Sequence, residues 1–318
     1  MRFRRTSIVA ALLTTVAVLC ITVAACGSSS TSSTTTSASP RASGFDVANV
    51  KADSALNAML PAAIKSAGTI HVATSIPYPP WEMYTAVGSK QATGLDYDLS
   101  QAIAARLGVK ANFDQTAFDA IMPALLSHKE DMVMAGMWDT QQRQKVLDFV
   151  DYATDGYGIA VVTGNPAHIQ TVADLPGKTL AYESGDAEAG QLHALQAKFK
   201  AEGKPTLTIQ AFPTTSDALL AVSAGKAQAM ITGLSVTAYM VKTSGGGNTF
   251  ALVHGPSWDA AFGTGIAGIG VLKTDRPLVD TVQKAFQSLI TDGTYKSILD
   301  KYGLGSLAVT SAMVNQGK

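Results

Sequence analysis

Short apolar segments alternate with amphipathic segments along most of the chain. The short segment Gly68-Thr-Ile-His-Val-Ala-Thr74 is rich in β-branched residues, as in a buried strand, whereas 95–107 repeats apolar residues at helical spacing and stops at Gly108. Strands that alternate with helices favour parallel α/β sheets. The predicted strands are 68–74, 109–113, 131–135, 158–162, 179–182, 207–212, 229–231 and 268–272, and the predicted helices are 46–66, 95–107, 118–126, 139–146, 187–201, 216–224, 277–292 and 295–302.

The first 43 residues differ from the rest. Three arginines precede an apolar run that ends in Val23-Ala-Ala-Cys26, an ending that resembles a bacterial lipobox. We therefore predict a signal peptide at 1–25, a lipid on the Cys26 sulfur, and anchorage of the protein to the outer face of the cell membrane. The Ser/Thr-rich segment 26–43 has too few apolar residues to form a core, which indicates a disordered tether.

Composition narrows the classes of partner. The chain has 24 basic and 24 acidic residues, and charged residues are only 15% of the total. The absence of a basic cluster beyond the signal argues against nucleic acid as a partner. The five histidines follow no metal-ligand spacing, and the glycine-rich segments lack the Lys-Ser/Thr ending of a phosphate loop. We expect no metal and no cofactor.

A single arginine gives the clearest chemical signal. Arg143 follows the predicted strand at 131–135 and is expected in the first turn of a helix opened by Asp139 or Thr140. A guanidinium offers a planar fork of donors that matches a carboxylate, and a helix N-terminus adds unpaired N–H groups. The pattern predicts a site for a carboxylate-bearing solute.

The order of several motifs resembles the extracellular solute-binding proteins of polar amino acid ABC importers, solute-binding family 3. The resemblance implies an α/β, periplasmic-binding-protein type II-like clamp of two lobes, joined by a two-strand hinge. It also implies that the clamp closes on a solute and is then recognised by the importer's permease subunits. The first lobe would comprise 44–157 and 267–318, and the second lobe 158–266. The motifs are Ile70 to Glu82, Gly94-Leu-Asp-Tyr-Asp-Leu99, Phe118 to Leu126, Ala135 to Tyr152, Leu175-Pro-Gly-Lys178, Asp292 to Ile298 and Lys301-Tyr-Gly303.

The resemblance also implies positions in the cleft. In the first lobe two rings would enclose the solute, a backbone contact would come from a glycine, and Arg143 would hold the carboxylate. In the second lobe the solute would meet a loop at a helix start. The expected ligand-binding residues are Tyr78, Phe118, Gly136, Trp138, Arg143, Ser184, Gly185 and Asp186.

Three positions depart from the family pattern. Trp138 replaces a hydroxyl residue, Gly233 replaces the acid that pairs with an α-ammonium, and Ser75 replaces a small acid after the first strand. An enclosed ammonium without a counter-charge would be unfavourable by several kcal/mol. Either Asp186 or Glu183 supplies the charge, or the ligand lacks an α-ammonium and is an organic acid, a derivatised amino acid or an aromatic compound stacked on Trp138.

Other functions are possible for the same clamp. It resembles periplasmic cyclohexadienyl and arogenate dehydratases, whose chemistry requires a positioned acid and paired carboxylate grips. Glu82, Glu183 and Asp186 form no recognisable catalytic spacing, so we expect a binding protein and not an enzyme. The clamp also serves as a sensor domain of receptors, but the chain ends at Lys318 without a further span or signalling domain.

Overall fold

The computed structural model describes residues 45–318, so the predicted signal peptide, Cys26 and the predicted tether lie outside the described residues. The elements of the described part begin near 54 and end near 302. The helices are α1 Ser54–Met59, α2 Ala62–Ala67, α3 Leu95–Arg106, α4 Ile121–Leu126, α5 Glu188–Ala201, α6 Thr215–Ser223, α7 Leu234–Thr243, α8 Pro256–Phe262, α9 Arg276–Thr291 and α10 Thr294–Tyr302. The strands are β1 Thr69–Thr74, β2 Met83–Tyr84, β3 Ala92–Thr93, β4 Lys110–Gln115, β5 Met132–Val133, β6 Leu147–Asp155, β7 Tyr157–Val162, β8 Thr179–Glu183, β9 Thr208–Phe212, β10 Ala229–Gly233, β11 Phe250–Val253 and β12 Gly265–Leu272.

The first sheet has the strand order β4-β1-β5-β12-β6. Strand β1 runs parallel to β4 and β5, whereas β12 runs antiparallel to β5 and β6. The second sheet has the order β11-β7-β10-β8-β9, in which β8 is parallel to β9 and β10 while β7 is antiparallel to β10 and β11. The expectation of parallel sheets is therefore wrong for the part of each sheet that contains β7 or β12. These two strands are antiparallel because the chain enters the second sheet through β7 and returns to the first sheet through β12.

Two connections join the sheets. The chain passes from β6 to β7 through Gly156 and returns from α8 to β12 through Gly263 and Thr264. The ladder between β6 and β12 reaches from Leu147↔Leu272 to Asp155↔Gly265, so its last pair lies at both crossings. The sheets form two lobes linked by these strands, which confirms the predicted two-lobe architecture. The predicted lobe boundaries lie beside the two crossings.

Several elements differ from the prediction. The helix predicted at 46–66 is interrupted, because Pro61 has no N–H group to continue α1 and instead precedes α2. The hairpin β2–β3, strands β6 and β11 and helices α7 and α8 were not predicted. Segment 139–146 contains only a 3₁₀ turn at Arg143–Lys145 and no α-helix. Strand β6 begins at Leu147 and pairs along its length with β12, so this pairing overrides the local helical pattern.

Each lobe has apolar side chains on both faces of its sheet. In the first lobe Ile70 and Val72 of β1 are fully buried beside residues of α3 and α9, while Ala73 belongs to a second cluster with α4. Within 45–318, no helix combines the length and the apolar character needed to cross a membrane.

Candidate ligand-binding site

The two lobes contact each other through the loop that follows β1. The Tyr78 hydroxyl lies 3.1 Å from Thr232 Oγ1 at the end of β10, and Trp81 Nε1 donates to Ser235 Oγ at 2.8 Å in α7. Both aromatic side chains are buried. These bonds join the first lobe directly to the second, so the lobes are closed on one another in this structure.

A small cavity lies between the closed lobes. Its volume is about 10 Å³, roughly the space of one water molecule. A larger solute therefore requires the lobes to separate before it enters. Five of the eight lining residues carry a carboxyl, hydroxyl or phenol group. The lining residues are Ser75, Tyr78, Glu82, Phe118, Ala135 and Gly136 from the first lobe and Glu183 and Asp186 from the second.

A wider cleft of about 1180 Å³ adjoins Arg143 and is lined by residues of both lobes. The Arg143 guanidinium donates to Trp138 O at 2.7 Å and to Gly185 O at 2.9 Å, and it lies 5.5 Å from the centre of the Phe118 ring. Phe118 and Asp186 line both spaces. Arg143 therefore reaches the second lobe, and only Phe118 and Asp186 are shared between its cleft and the acidic cavity.

The turn that carries Arg143 differs from the predicted helix start. Thr140 Oγ1 accepts a bond from Arg143 N at 3.3 Å, so the predicted capping group is present. The 3₁₀ turn that follows has only three residues, so no helix dipole adds to the site. Any grip on a carboxylate must come from the guanidinium itself.

Gly136 is held in a conformation that few residues adopt. Its φ angle is +55°, and a Cβ atom there would lie 2.7 Å from the Tyr78 ring. The Gly136 N–H donates to Asp96 Oδ2 at 2.6 Å. A glycine at this point therefore allows the Tyr78 ring to pack on the backbone that lines the small cavity.

Asp96 connects this backbone to the hinge. A register shift in the β6–β12 ladder leaves Tyr152 without a partner between Ala153 and Asp151, and a bulge of this kind turns a side chain out of the regular alternation. Tyr152 OH donates to Asp96 Oδ1 at 2.6 Å. Both Asp96 oxygens thus accept a hydrogen bond, one from the hinge strand and one from the cavity wall.

Carboxyl groups dominate the small cavity. Burial and the adjacent Asp96 raise the pKa of Glu82 well above its usual value, and burial raises the pKa of Asp96 to about 6. Burial also raises the pKa of Glu183 to about 8, although Thr215 donates to it through N at 3.0 Å and through Oγ1. Burial raises the pKa of Asp186, while Arg143 opposes the shift.

Glu82 was not predicted as a ligand-binding residue. Its side chain is buried, and neither carboxyl oxygen accepts a hydrogen bond from a donor in residues 45–318. The sequence offered only one signal, an acid directly after the Pro79-Pro-Trp81 segment, and periodicity does not show that this acid points inward.

Trp138 does not line the small cavity. Its ring lies 4.5 Å from the ring of Tyr157, and a Cβ atom on Gly265 would lie 1.7 Å from it. The indole therefore fills the space above a glycine at the hinge, where Gly265 pairs with Asp155. Trp138 does line the wide cleft beside Arg143, so an aromatic ligand stacked on it would lie in that cleft and not in the small cavity.

The second-lobe residues divide into two groups. Gly185 and Asp186 line the cleft at Arg143, whereas Ser184 lines neither space and donates its N–H to Phe212 O at 2.8 Å. A Cβ atom on Gly233 would lie 3.1 Å from Tyr78 OH and 3.2 Å from Asp155 Oδ2. A side chain at 233 would require these neighbours to shift by a few tenths of an ångström, and a carboxylate there would lie beside the carboxyl group of Asp155.

One cluster away from the cleft has the residue types of a metal site. His71, Asp114 and Glu130 bring potential ligand atoms within 4.8 Å of one another, a proximity that the sequence spacing did not predict. His71 Nδ1 lies 2.9 Å from Asp114 Oδ2, and Lys129 Nζ lies 3.2 Å from Glu130 Oε1. Cationic partners therefore already accompany these acids.

Comparison with known proteins gives a consistent family. Residues 70–305 match the model of the bacterial extracellular solute-binding proteins, family 3. The arginine-binding protein ArgT of Corynebacterium glutamicum is 27% identical over 262 residues, which are 82% of this chain and 83% of ArgT. The histidine-binding periplasmic protein of Salmonella typhimurium is 27% identical over 241 residues, 73% of this chain and 86% of that protein.

A solved structure agrees with the fold. The ancestral amino acid-binding protein AncCDT-1, a precursor of cyclohexadienyl dehydratase, is 31% identical and superposes with a TM-score of 0.65 over 76% of this chain and 97% of its own. The two-lobe clamp and the family match over 70–305 lead to one conclusion. The chain belongs to the bacterial extracellular solute-binding proteins of family 3.

Proposed function

We propose that this protein is the solute-binding component of an ABC importer and captures a basic amino acid of the arginine type between its lobes. The observation that carries the proposal is a small cavity lined by the buried carboxyl groups of Glu82, Glu183 and Asp186, which adjoins a cleft that contains the guanidinium of Arg143. An ionised carboxylate in a closed cavity requires a cationic partner. A solute with one carboxylate and two cationic groups supplies complementary charges.

Each charged group of such a solute has a complementary partner. The α-carboxylate would bind Arg143, whose donors in this structure are directed at two backbone carbonyls. The side-chain cation would enter the inner cavity between Glu82 and Glu183, and its apolar stem would lie between the rings of Tyr78 and Phe118. Lobe closure then follows, because a solute that contacts both lobes favours the closed state.

Asp186 takes the place of the acid that is missing at Gly233. It lines both the small cavity and the Arg143 cleft, so it can reach an α-ammonium bound beside the carboxylate. This arrangement supports an amino acid over an organic acid. The names of relatives support the same class, since ArgT is an arginine-binding protein and the Salmonella relative binds histidine.

The dehydratase alternative has less support. AncCDT-1 is itself described as an amino acid-binding protein, although it is a precursor of an enzyme. Arg143 and Lys318 are the only basic residues that line either space in the described part of the chain. Both line only the wide cleft, so the small cavity has no basic residue in the described part of the chain to hold a dicarboxylate substrate.

Titration calorimetry with L-arginine and three analogues tests the proposed function. Agmatine lacks the carboxylate, 5-guanidinopentanoic acid lacks the α-ammonium, and citrulline replaces the guanidinium with a neutral group of similar shape. We expect each analogue to bind at least about 30-fold more weakly than arginine, because each lacks one of the charged groups that would pair with the protein. Tighter binding of citrulline than of arginine, or no binding of any amino acid, would contradict the proposal.

Arg143→Ala should weaken L-arginine by about 100-fold or more, since a buried charge pair is truncated. The same change should leave agmatine, which has no carboxylate, unaffected or slightly stronger. Arg276→Ala provides a control, because the half-exposed Arg276 at the start of α9 pairs with Asp148 of β6 and Asp280 of α9 and lines neither space. Equal weakening of arginine and agmatine by Arg143→Ala would show that Arg143 does not hold the carboxylate.

We also propose that the protein is a lipoprotein held to the outer face of the membrane through Cys26. The support is the basic start, the apolar run and the Val23-Ala-Ala-Cys26 ending. Cys26→Ser should move the protein from the membrane fraction to the soluble fraction, whereas Cys20→Ser, which lies within the signal, should not. Retention of the Cys26→Ser protein on membranes that have been washed with high salt would refute the anchor.

A further inference from the structure

Glu82 occupies an unusual position in the small cavity. It comes from the loop after β1, its exposed fraction is 0%, and neither of its oxygens accepts a hydrogen bond from a donor in the described chain. A buried carboxylate without such bonds is strongly disfavoured as an ion. The group nevertheless lines the cavity where the solute side chain is expected.

The charged and titratable groups around Glu82 are all acidic or phenolic. Asp96 of α3 lies against it, and Glu183 of β8 faces it from the second lobe. Tyr78 of its own loop and Asp186 after β8 line the same cavity, and Tyr152 of β6 bonds Asp96. In residues 45–318 no lysine, arginine or histidine forms an ion pair with Glu82.

The hydrogen bonds indicate which member of the Glu82–Asp96 pair holds a proton. Asp96 accepts from Tyr152 OH and from Gly136 N–H, each at 2.6 Å, and these two donors stabilise its ionised form. Glu82 has no comparable donors. Two adjacent carboxyl groups share one proton, and the donors to Asp96 assign that proton to Glu82.

We propose that Glu82 selects the charge of the solute by exchanging its proton for the solute's side-chain cation. The inference rests on the proposed function and adds a mechanism to it. In the empty cleft Glu82 is a neutral acid. When a guanidinium or ammonium enters, the carboxylate pairs with it, and the proton of Glu82 passes to the solvent before closure is complete. The charge of the cavity is thus the same before and after capture.

The proposed proton exchange discriminates between solutes with basic and with neutral side chains. A basic side chain replaces the proton with an equivalent charge, so no buried charge is left alone. A neutral isostere such as citrulline leaves the proton on Glu82 and gains only a hydrogen bond. Because binding of arginine releases one proton, the affinity for arginine should increase as the pH rises. The increase should be up to about tenfold per pH unit as long as the pH is below the pKa of Glu82 in the ligand-free protein. The affinity for citrulline should not show this pH dependence.

Calorimetric titration in buffers of different ionisation enthalpy measures the protons released on binding. For the wild-type protein near neutral pH, we expect about one proton more for L-arginine than for citrulline. Glu82→Gln should abolish that difference, weaken arginine by about 100-fold and leave citrulline nearly unchanged. Circular dichroism and the thermal melt of the empty protein show whether the variant is folded.

Glu130→Gln is the matched control. Glu130 is another buried glutamate whose pKa is raised by burial, but Lys129 Nζ lies 3.2 Å from its Oε1 and it lines neither the small cavity nor the wide cleft. Its replacement should leave the proton count and both affinities unchanged.

Equal proton counts for arginine and citrulline in the wild-type protein would overturn the exchange while leaving amino acid capture intact. Failure of every amino acid to bind would instead refute the proposed function.

Discussion

The structure depends on how buried carboxyl groups are compensated in a closed cavity. Glu82, Glu183 and Asp186 line a space of about 10 Å³, Asp96 lies against Glu82, and Arg143 lines the adjoining cleft. Each carboxyl must hold a proton, accept donors or meet a cation. In the closed protein Asp96 and Glu183 accept donors, and Glu82 is assigned a proton. A basic solute would supply a cation.

The same network connects the cavity with the hinge. Tyr152 is placed by a bulge in β6, it bonds Asp96, and Asp96 holds the Gly136 N–H. On the other side of the crossing, the Trp138 ring packs over Gly265. Residues that line the cavity are therefore connected by hydrogen bonds, through Asp96, to a strand of the hinge.

Sequence motifs predicted the architecture and much of the cavity wall. The two lobes, Tyr78, Phe118, Gly136 and Asp186 could be placed because the motifs occur in a fixed order along an alternating α/β pattern. The direction of Trp138 could not be predicted, since it depends on a missing Cβ at Gly265, far along the chain. Glu82 was missed for a similar reason: its partner Asp96 comes from another element, and burial of the pair arises only when the lobe folds.

The central claim is that the acidic end of the cavity receives a side-chain cation while Arg143 receives the carboxylate. A crystal structure of the protein grown with L-arginine tests it most directly. The account predicts the ligand guanidinium within hydrogen-bond distance of Glu82 and the α-carboxylate on the Arg143 fork. A ligand bound in the reverse orientation, or confined to the wide cleft beside Lys318 with Glu82 still in contact only with Asp96, would contradict it.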